Sequence, residues 1–598
     1  MNEQQKILFG KPRLLPIMFF GVALIYFMKQ LVVAPNFSDN LILPGADDAM
    51  RLQSVRDMLA GQGWFDTRQY RVLPPEGISL HWSRLVDAPI AGLLSILEWM
   101  LDRDAAERLL VLLWPMTLFL LCAWTNMKVA RAGFGVPAAV LTLVSLWFLQ
   151  SYYTRYFPIG RLDHHNIQLV LMLAVFGLLL SRGWKAAALA GALAALSMAI
   201  GMESLPFLGI AGLVWVWRYL RCKPESEEAL AAFGLTLGLT AVLLFVVQTD
   251  PALWGLRVCD QLSLPYLALV GSAAGLGLLI LATRQHLLTM RSRALILLVT
   301  TVGMGIVVVP ILAPCFGGPF ADVSNDVRDQ VITRIGESIP VAQMIRQAPA
   351  MAFVLLGPLA VVTLLSGAIW LREVAARRDP GHWGLLTLFL ALGCVGAFLQ
   401  LRAMIWGHAV MAVGFGAVMA HLLNRPWPIP RAVKVVAMIV FFAIVFLPQL
   451  VPLGIKSIKA ALYDTGGATI QVDLVELDAA CDQASLLRSL SDIPATLIAS
   501  PLNLSTGILI HTAHSVTSAP YHRSTDAMLN GVLPFSGDMP ELRRMIETTG
   551  AKFVLVCADQ IYGTPDGAGS RLSAKQAPDW LVPVDTIAPP LLLYEVAE

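Results

Sequence analysis

The sequence predicts a polytopic α-helical membrane protein with a small α/β domain at its C-terminal end. Three observations predict it: apolar runs of spanning length recur from residue 14 to residue 454, the segments between them alternate between basic and mixed charge, and the chain changes character after about residue 455. The composition agrees. Charged residues make up 14% of the 598, where about 25% is usual in soluble domains, and the mean hydropathy is +0.67. A soluble enzyme would have to hide this apolar surface in cores that stop growing beyond roughly 250–300 residues. Disorder, collagen and coiled coil are excluded by the same composition. The net charge is +2 and no Lys/Arg tract carries interleaved aromatics, so nucleic acid is not expected as a partner.

Lys6, Lys11 and Arg13 precede the apolar run Leu14–Val33. That run is long enough to span and has no small-residue cleavage site, so it reads as an anchor starting in the cytoplasm rather than a signal peptide. Counting runs near ~20 residues gives thirteen spans, at about 14–34, 105–127, 134–153, 166–181, 186–202, 204–220, 229–248, 262–283, 294–313, 350–371, 382–401, 403–423 and 433–454. Breaks fall where Pro, Gly and charge cluster. With the N-terminus inside, the inner loops carry Lys128/Arg131, Arg182/Lys185, Arg218/Arg221/Lys223, Arg284/Arg291/Arg293, Arg372/Arg377/Arg378 and Arg425/Arg431/Lys434. All are basic, as positive-inside topology requires. The outer segments mix signs, with Asp47, Asp48, Arg51, Asp57 and Glu76 in the first and Arg161 and Asp163 in the second. An odd number of spans puts the C-terminal region outside. The expected location is a bacterial inner membrane, multi-pass, with that region in the periplasm.

The expected division is a transmembrane part, 1–455, and an outer α/β domain, 456–598. Within the latter, residues 495–499, 507–512, 552–557 and 591–596 are short apolar runs bounded by Pro, Gly or Ser, and read as strands. Asp538-Met539-Pro540-Glu541 is a capping box that opens a helix to about Thr549. The alternation of strand and helix points to an α/β layer. Seven cysteines lack a C-x-x-C pair, which removes a zinc ribbon or a thioredoxin motif. Cys122 and Cys394 read as small apolar residues inside helices, while Cys481 and Cys557 lie in the outer tail, where a disulfide is permitted.

Ionisable residues at a membrane boundary are costly to keep and usually have a task. Three outer segments gather them. The first loop, 35–104, opens with Asp47-Asp48-Ala49-Met50-Arg51, continues as a polar helix to about Leu59, and runs through Pro74-Pro75-Glu76-Gly77 to His81-Trp82-Ser83-Arg84-Leu85. Taken alone, the two aspartates also suit a helix N-cap and its dipole-favoured neighbour. The second segment is Arg161-Leu162-Asp163-His164-His165. A carboxylate with an imidazole two residues on presents one oxygen and one nitrogen to the same divalent cation. The third is Thr333-Arg334-Ile335-Gly336-Glu337-Ser338-Ile339-Pro340, within the outer loop 314–349. Loops of that length are usually functional or disordered. In the tail, Pro520-Tyr521-His522-Arg523 is a polar-aromatic cluster that fits either surface structure or contact with an acceptor.

Thirteen spans, an acidic motif in the first outer loop, Asp-x-His in the second, Ile-x-Glu-x-x-Pro in the fifth and an outer C-terminal domain together resemble oligosaccharyltransferase catalytic subunits. These are GT-C glycosyltransferases, and their archaeal members carry a very similar Asp-His-His. The resemblance implies that Asp47 (or its neighbour Asp48), Asp163 and His165 hold Mg²⁺ or Mn²⁺, with Asp47, Asp48 and Glu337 as the catalytic carboxylates. Glu337 would sit over the metal and orient the acceptor. Arg402, between the eleventh and twelfth spans, would hold the diphosphate of a polyprenyl-linked sugar donor; the plainer reading is an interfacial arginine that snorkels. Transfer with inversion is implied by the family alone. His81, Arg84, His164, Tyr521, His522 and Arg523 are the further candidates for acceptor or loop contacts.

The chain also departs from the family. Protein-glycosylating members carry a Trp-Trp-Asp reader of the Asn-x-Ser/Thr hydroxyl in the outer domain, whereas this tail has one tryptophan, Trp580, followed by Leu581. Asp47 and Arg51 also stand closer together than is usual. The acceptor is therefore open among glycan, lipid and protein, with an envelope glycoconjugate expected. Two other readings remain: a GT-C enzyme using a polyprenyl-monophosphate sugar, and a lipid-linked-glycan flippase. The flippase would need ionisable residues at mid-membrane depth or inverted repeats, and neither is clear in the sequence.

Overall fold

The structure, a computed structural model, describes residues 14–33, 41, 43–149, 155–286, 289–318, 320–321, 323–332, 338–424, 430–452, 481, 484–587 and 589–597. Each of the thirteen apolar runs falls on a helix, from Leu14–Val33 to Arg431–Phe446. Among the described residues, seven helices are long and apolar enough to cross a membrane: Leu14–Val32, Arg103–Phe134, Ser226–Gln248, Leu264–His286, Met290–Gly317, Pro349–Ala375 and Leu401–Asn424. The other runs fall on shorter helices of 11 to 17 residues. Gly135, at φ +88°, separates Arg103–Phe134 from Val136–Leu146, where a side chain would be strained.

At the centre, every residue from Ile405 to Ala420 is buried. Its neighbours approach closely because of glycine. A Cβ at Gly416 would lie 2.6 Å from the Ala138 carbonyl oxygen, and one at Gly407 would lie 2.8 Å from the Leu359 side chain. Small residues at contacts let helix backbones pack without a hydrophobic driving force between them. At the edge, Met290–Leu312 buries only Arg293, Thr300 and Val308. Its free face is Leu295, Leu298, Val299, Val302, Ile306 and Val307, all more than half exposed. In water such a face would drive aggregation; against lipid it is the expected surface.

Beyond the helices lies a mixed sheet. The first long loop contributes a two-stranded antiparallel ribbon, β1 (Arg68–Gln69) and β2 (Ile78–Ser79). The C-terminal region forms β3 (Leu497–Ala499), β4 (Ser515–Val516), β5 (Phe553–Cys557), β6 (Leu581–Pro583) and β7 (Leu591–Val596), in the order β4-β3-β5-β7-β6. β3 runs parallel to β4 and β5, and the other pairs are antiparallel. The helix Met539–Thr549 opens where its cap predicts, with Asp538 accepting from the Glu541 N–H at 2.9 Å. One expectation is corrected. Residues 507–512 are not a strand but lie mostly in the helix Leu502–His511, buried from Leu504 to Ile510. A short apolar run does not distinguish a buried strand from a buried helix.

The sheet is welded to the first loop. Val516 donates its N–H to the Arg71 carbonyl at 2.8 Å, and Leu73 donates to the Val516 carbonyl at 2.9 Å. The Arg71 guanidinium donates to the carbonyls of Leu509, Thr512 and His514. Met50, Val72, Ile78, Leu80 and Trp82 share one apolar core with Leu504, Ile508, Leu555 and Leu593. The first loop therefore takes its shape from residues more than four hundred positions away.

Two disulfides are present, Cys259–Cys315 and Cys481–Cys557, whereas Cys122, Cys222 and Cys394 are free. The four bonded cysteines lie on segments that the basic-loop pattern assigns to the outside, and exposed Cys222 lies between Arg221 and Lys223 on a loop that the same pattern assigns to the inside. Disulfides persist in oxidising compartments and thiols in reducing ones. Non-reducing peptide mapping of intact membranes is expected to recover both linked pairs. A membrane-impermeant maleimide added from outside should leave Cys222 unlabelled; labelling from that face would invert the topology.

Candidate active site

The segments that converge under the sheet are the ends of helices, where ionisable groups are cheapest to keep. Asp47 and Asp48 stand in the first turn of Ala46–Leu59, a position that the helix dipole favours for carboxylates. Their roles diverge because a helix turns by about 100° per residue. Asp48 points inward and is fully buried. Its Oδ1 accepts the backbone N–H groups of Leu162 (2.8 Å) and Asp163 (2.9 Å), and its Oδ2 lies 3.2 Å from the Arg161 guanidinium. Asp48 thus fixes the loop that carries the Asp-His-His run. Asp47 points into a cavity of about 340 Å³.

That cavity is lined by Asp47, His81, Arg161, His164, His165, Glu203, Asp260, Phe320, Arg402, Tyr521 and His522, among others. Behind two of its lining residues, Asp163 Oδ2 is hydrogen-bonded to His165 Nδ1, while Asp163 Oδ1 accepts the His164 backbone N–H at 2.6 Å. His164 Nδ1 lies 2.8 Å from Asp163 Oδ1 and its Nε2 lies 3.5 Å from Glu203 Oε1, yet both nitrogens are buried without hydrogen-bond geometry. One oxygen of Asp163 and one nitrogen each of His164 and His165 lie within 4.8 Å of one another. This oxygen–nitrogen set suits a divalent cation, and the unbonded nitrogens of His164 are atoms that such a ligand would engage. The residues present therefore fit a metal.

The electrostatics are those of crowded carboxylates. Desolvation within the cavity, then Asp163 and Asp48, raise the Asp47 carboxyl to about 7. Burial raises Asp48 to about 6, with Arg161 opposing the shift. Burial would also raise Asp163, but the imidazoles of His165 and His164 hold it well below the carboxylate range. For His164 burial is overridden by Asp163 and Glu203, which raise it to about 10. Negative charge is concentrated at one spot, and a cation there would relieve it.

The remaining expected residues are placed as follows. Arg402 lies in the short helix Leu401–Met404, donates to Ser338 Oγ at 3.0 Å, and stands 5.2 Å from the Phe320 ring centre. Glu337, next to Ser338 in sequence, lies outside the described residues. Tyr521 is buried edge-on against Trp82, at 5.2 Å between ring centres, and its hydroxyl donates to the Ala46 carbonyl at 3.4 Å. His81 and His522 reach the cavity with ring centres 4.6 Å apart. Arg523 pairs with Asp260 behind His522. Arg84 does not reach the cavity: it is 1% exposed, pairs with Asp87 at 3.3 Å, and donates to the Asp66 carbonyl and to Gln62. It braces the first loop from within.

Two acidic residues escaped the sequence analysis, Glu203 and Asp260. Both sit at outer span boundaries, so the same boundary rule would have found them. Glu203 follows Gly201 closely. A Cβ at Gly201 would lie 2.5 Å from Glu203 Oε2 and 3.1 Å from His164 Nε2, so only glycine leaves room for that pair.

The helical assembly with its sheet has the fold of solved archaeal oligosaccharyltransferases. Solved structures share it. The archaeal oligosaccharyltransferase AglB from Archaeoglobus fulgidus, in complex with an inhibitory peptide and a dolichol-phosphate, matches 97% of this chain and 74% of its own at a TM-score of 0.62 and 12% identity. The Archaeoglobus fulgidus enzyme tethered by a disulfide to an acceptor peptide containing the NVT sequon matches 98% of this chain and 74% of its own, at 0.60 and 14%. Its complex with Zn and sulfate matches 97% and 73%, at 0.57 and 13%. No protein-family model and no curated protein matches the chain. The likeness is one of fold.

Proposed function

We propose that the chain is a membrane glycosyltransferase that moves a sugar or oligosaccharide from a polyprenyl-diphosphate-linked donor to an acceptor on the outer face of a bacterial inner membrane. The observation that carries this reading is one cavity in which Asp47, His165 and Arg402 converge from three separate segments. It lies where a lipid-linked substrate would present its phosphates. The proposed topology has thirteen crossings, a cytoplasmic N-terminus, a transmembrane part over 1–455 and a periplasmic α/β domain over 456–598. Basic inner loops and the division of thiols from disulfides support it.

In this reading Asp47, Asp163 and His165 hold a divalent cation, Mn²⁺ or Mg²⁺, with His164 beside them. When bound, the metal supplies positive charge to the departing diphosphate. Arg402 contributes a second cation to the same oxygens, which stabilises charge as it develops on the leaving group. Asp48 acts through Asp163 as a positioning residue, holding the backbone on which the Asp-His-His run sits. Glu337 is assigned to orient the acceptor, and a carboxylate there can also receive its proton.

The acceptor is proposed to be a glycan, a lipid or a protein read without a sequon, an envelope glycoconjugate above all. A site that selects a hydroxyl must offer polar groups that the wrong substrate leaves unpaired. Trp580, the tail's one tryptophan, instead packs under Arg543, 5.5 Å from guanidinium to ring centre. The competing reading, an Asn-x-Ser/Thr peptide, is favoured by the tethered sequon peptide in the Archaeoglobus fulgidus structure. Purified protein supplied with a lipid-linked donor, Mn²⁺, and matched Asn-x-Thr and Asn-x-Ala peptides separates the two. Equal, weak transfer to both is expected; efficient transfer to the first alone would establish the sequon reading.

A further inference from the structure

We propose that His81, Asp260 and His522 form a second divalent-metal site, of zinc type, at the rim of the cavity. One nitrogen of each histidine and one carboxylate oxygen of Asp260 lie within 4.8 Å of one another. His81 Nδ1 is buried and has no hydrogen-bond partner. His522 Nε2 lies 2.9 Å from Asp260 Oδ2. Two imidazoles and a carboxylate are the donor set of three-ligand zinc sites, which leave a fourth position open. His81, Asp260 and His522 all line the cavity. Mg²⁺ is disfavoured, since it prefers oxygen ligands in an octahedron.

The surroundings hold the ligands in place. Asp260 follows Cys259, which is anchored to Cys315. Arg523 donates to both Asp260 oxygens, at 2.7 Å and 2.6 Å, and so fixes the plane of the carboxylate. A carboxylate has about four lone-pair sites, so the guanidinium fork leaves room for a cation on the edge that His522 now occupies. Coordination would replace the His522–Asp260 hydrogen bond, with the Nε2 proton moving to Nδ1 and no net proton lost. The three ligands come from the first loop, the loop before Leu264 and the C-terminal region. The metal would thus clasp these segments together over the cavity. This site uses none of Asp47, Asp163 or His165 and stands apart from the transferase reading.

The alternative is a metal-free latch in which Arg523 and His522 alone satisfy Asp260. Full-length protein in detergent, stripped with chelator and titrated with Co²⁺ as a spectroscopic stand-in for zinc, decides between them. The wild type is expected to show the visible absorption of four-coordinate Co²⁺, displaced by Zn²⁺. Asp163→Ala should keep that absorption. His522→Gln and His81→Gln should each lose it, together with one bound metal per chain by elemental analysis. Elution as a monodisperse species with both disulfides intact marks each variant as folded, and either histidine variant suffices alone. Absence of the band in folded wild type, or its persistence at full strength in a folded histidine variant, would overturn the proposal.

Discussion

Asp163→Ala is expected to lower transfer by about 10³-fold or more, roughly 4 kcal/mol of transition-state stabilisation, while the protein remains folded in detergent. The carboxylate groups with His164 and His165 in an arrangement that could hold a metal ion, so in the proposed site its loss removes a ligand and the partner that orients both imidazoles. Folding tolerates the change. Without Asp163 the His164 imidazole loses a carboxylate that favours its charged form, and a neutral imidazole at a boundary costs little. Asp47→Ala should behave the same way, because Asp47 faces the cavity, whereas the backbone of the Asp-His-His run is held by Asp48. Near-normal turnover in a folded Asp163→Ala protein would remove the site from consideration.

Asp48→Ala should give the opposite pattern. Its fully buried carboxylate accepts two backbone N–H groups and lies 3.2 Å from the Arg161 guanidinium. Removal leaves the N–H groups of Leu162 and Asp163 without that partner, at a cost of about 1–3 kcal/mol for each. The expected result is a clear fall in thermal stability together with lost activity. Asp48→Asn keeps an acceptor oxygen and should recover part of the stability. Thermal unfolding of the purified variants checks this, and an Asp48→Ala protein as stable as the wild type would contradict the assigned role. The neighbouring aspartates are thus separable: one change costs chemistry and the other costs the fold.

The helices were legible in the sequence because each needs only its own apolar run, and hydrogen bonds within a helix are local. The Asp163–His165 pairing was legible for the same reason, as side chains two residues apart can meet locally. What depends on distant segments was not legible. Asp47 and Asp48 look alike until the Arg161–His165 loop arrives to claim one of them. Arg84 stood open to an acceptor or a loop contact until Asp87 and the Asp66 carbonyl took it into the first loop. The Cys259–Cys315 link joins loops that flank two helices, and no spacing announces it. The helix Leu502–His511 was read as part strand because its apolar residues run together, buried on all sides between the first loop and the sheet.

The central claim is that this chain consumes a sugar carried on a polyprenyl diphosphate. Mass spectrometry of lipid extracts from cells lacking the protein, beside cells that retain it, tests that claim most directly. Loss of the protein should cause a polyprenyl-diphosphate-linked sugar to accumulate, and supplying Asp163→Ala in place of the wild type should leave the accumulation unrelieved. Unchanged lipid pools, or accumulation of a polyprenyl-monophosphate sugar alone, would contradict it.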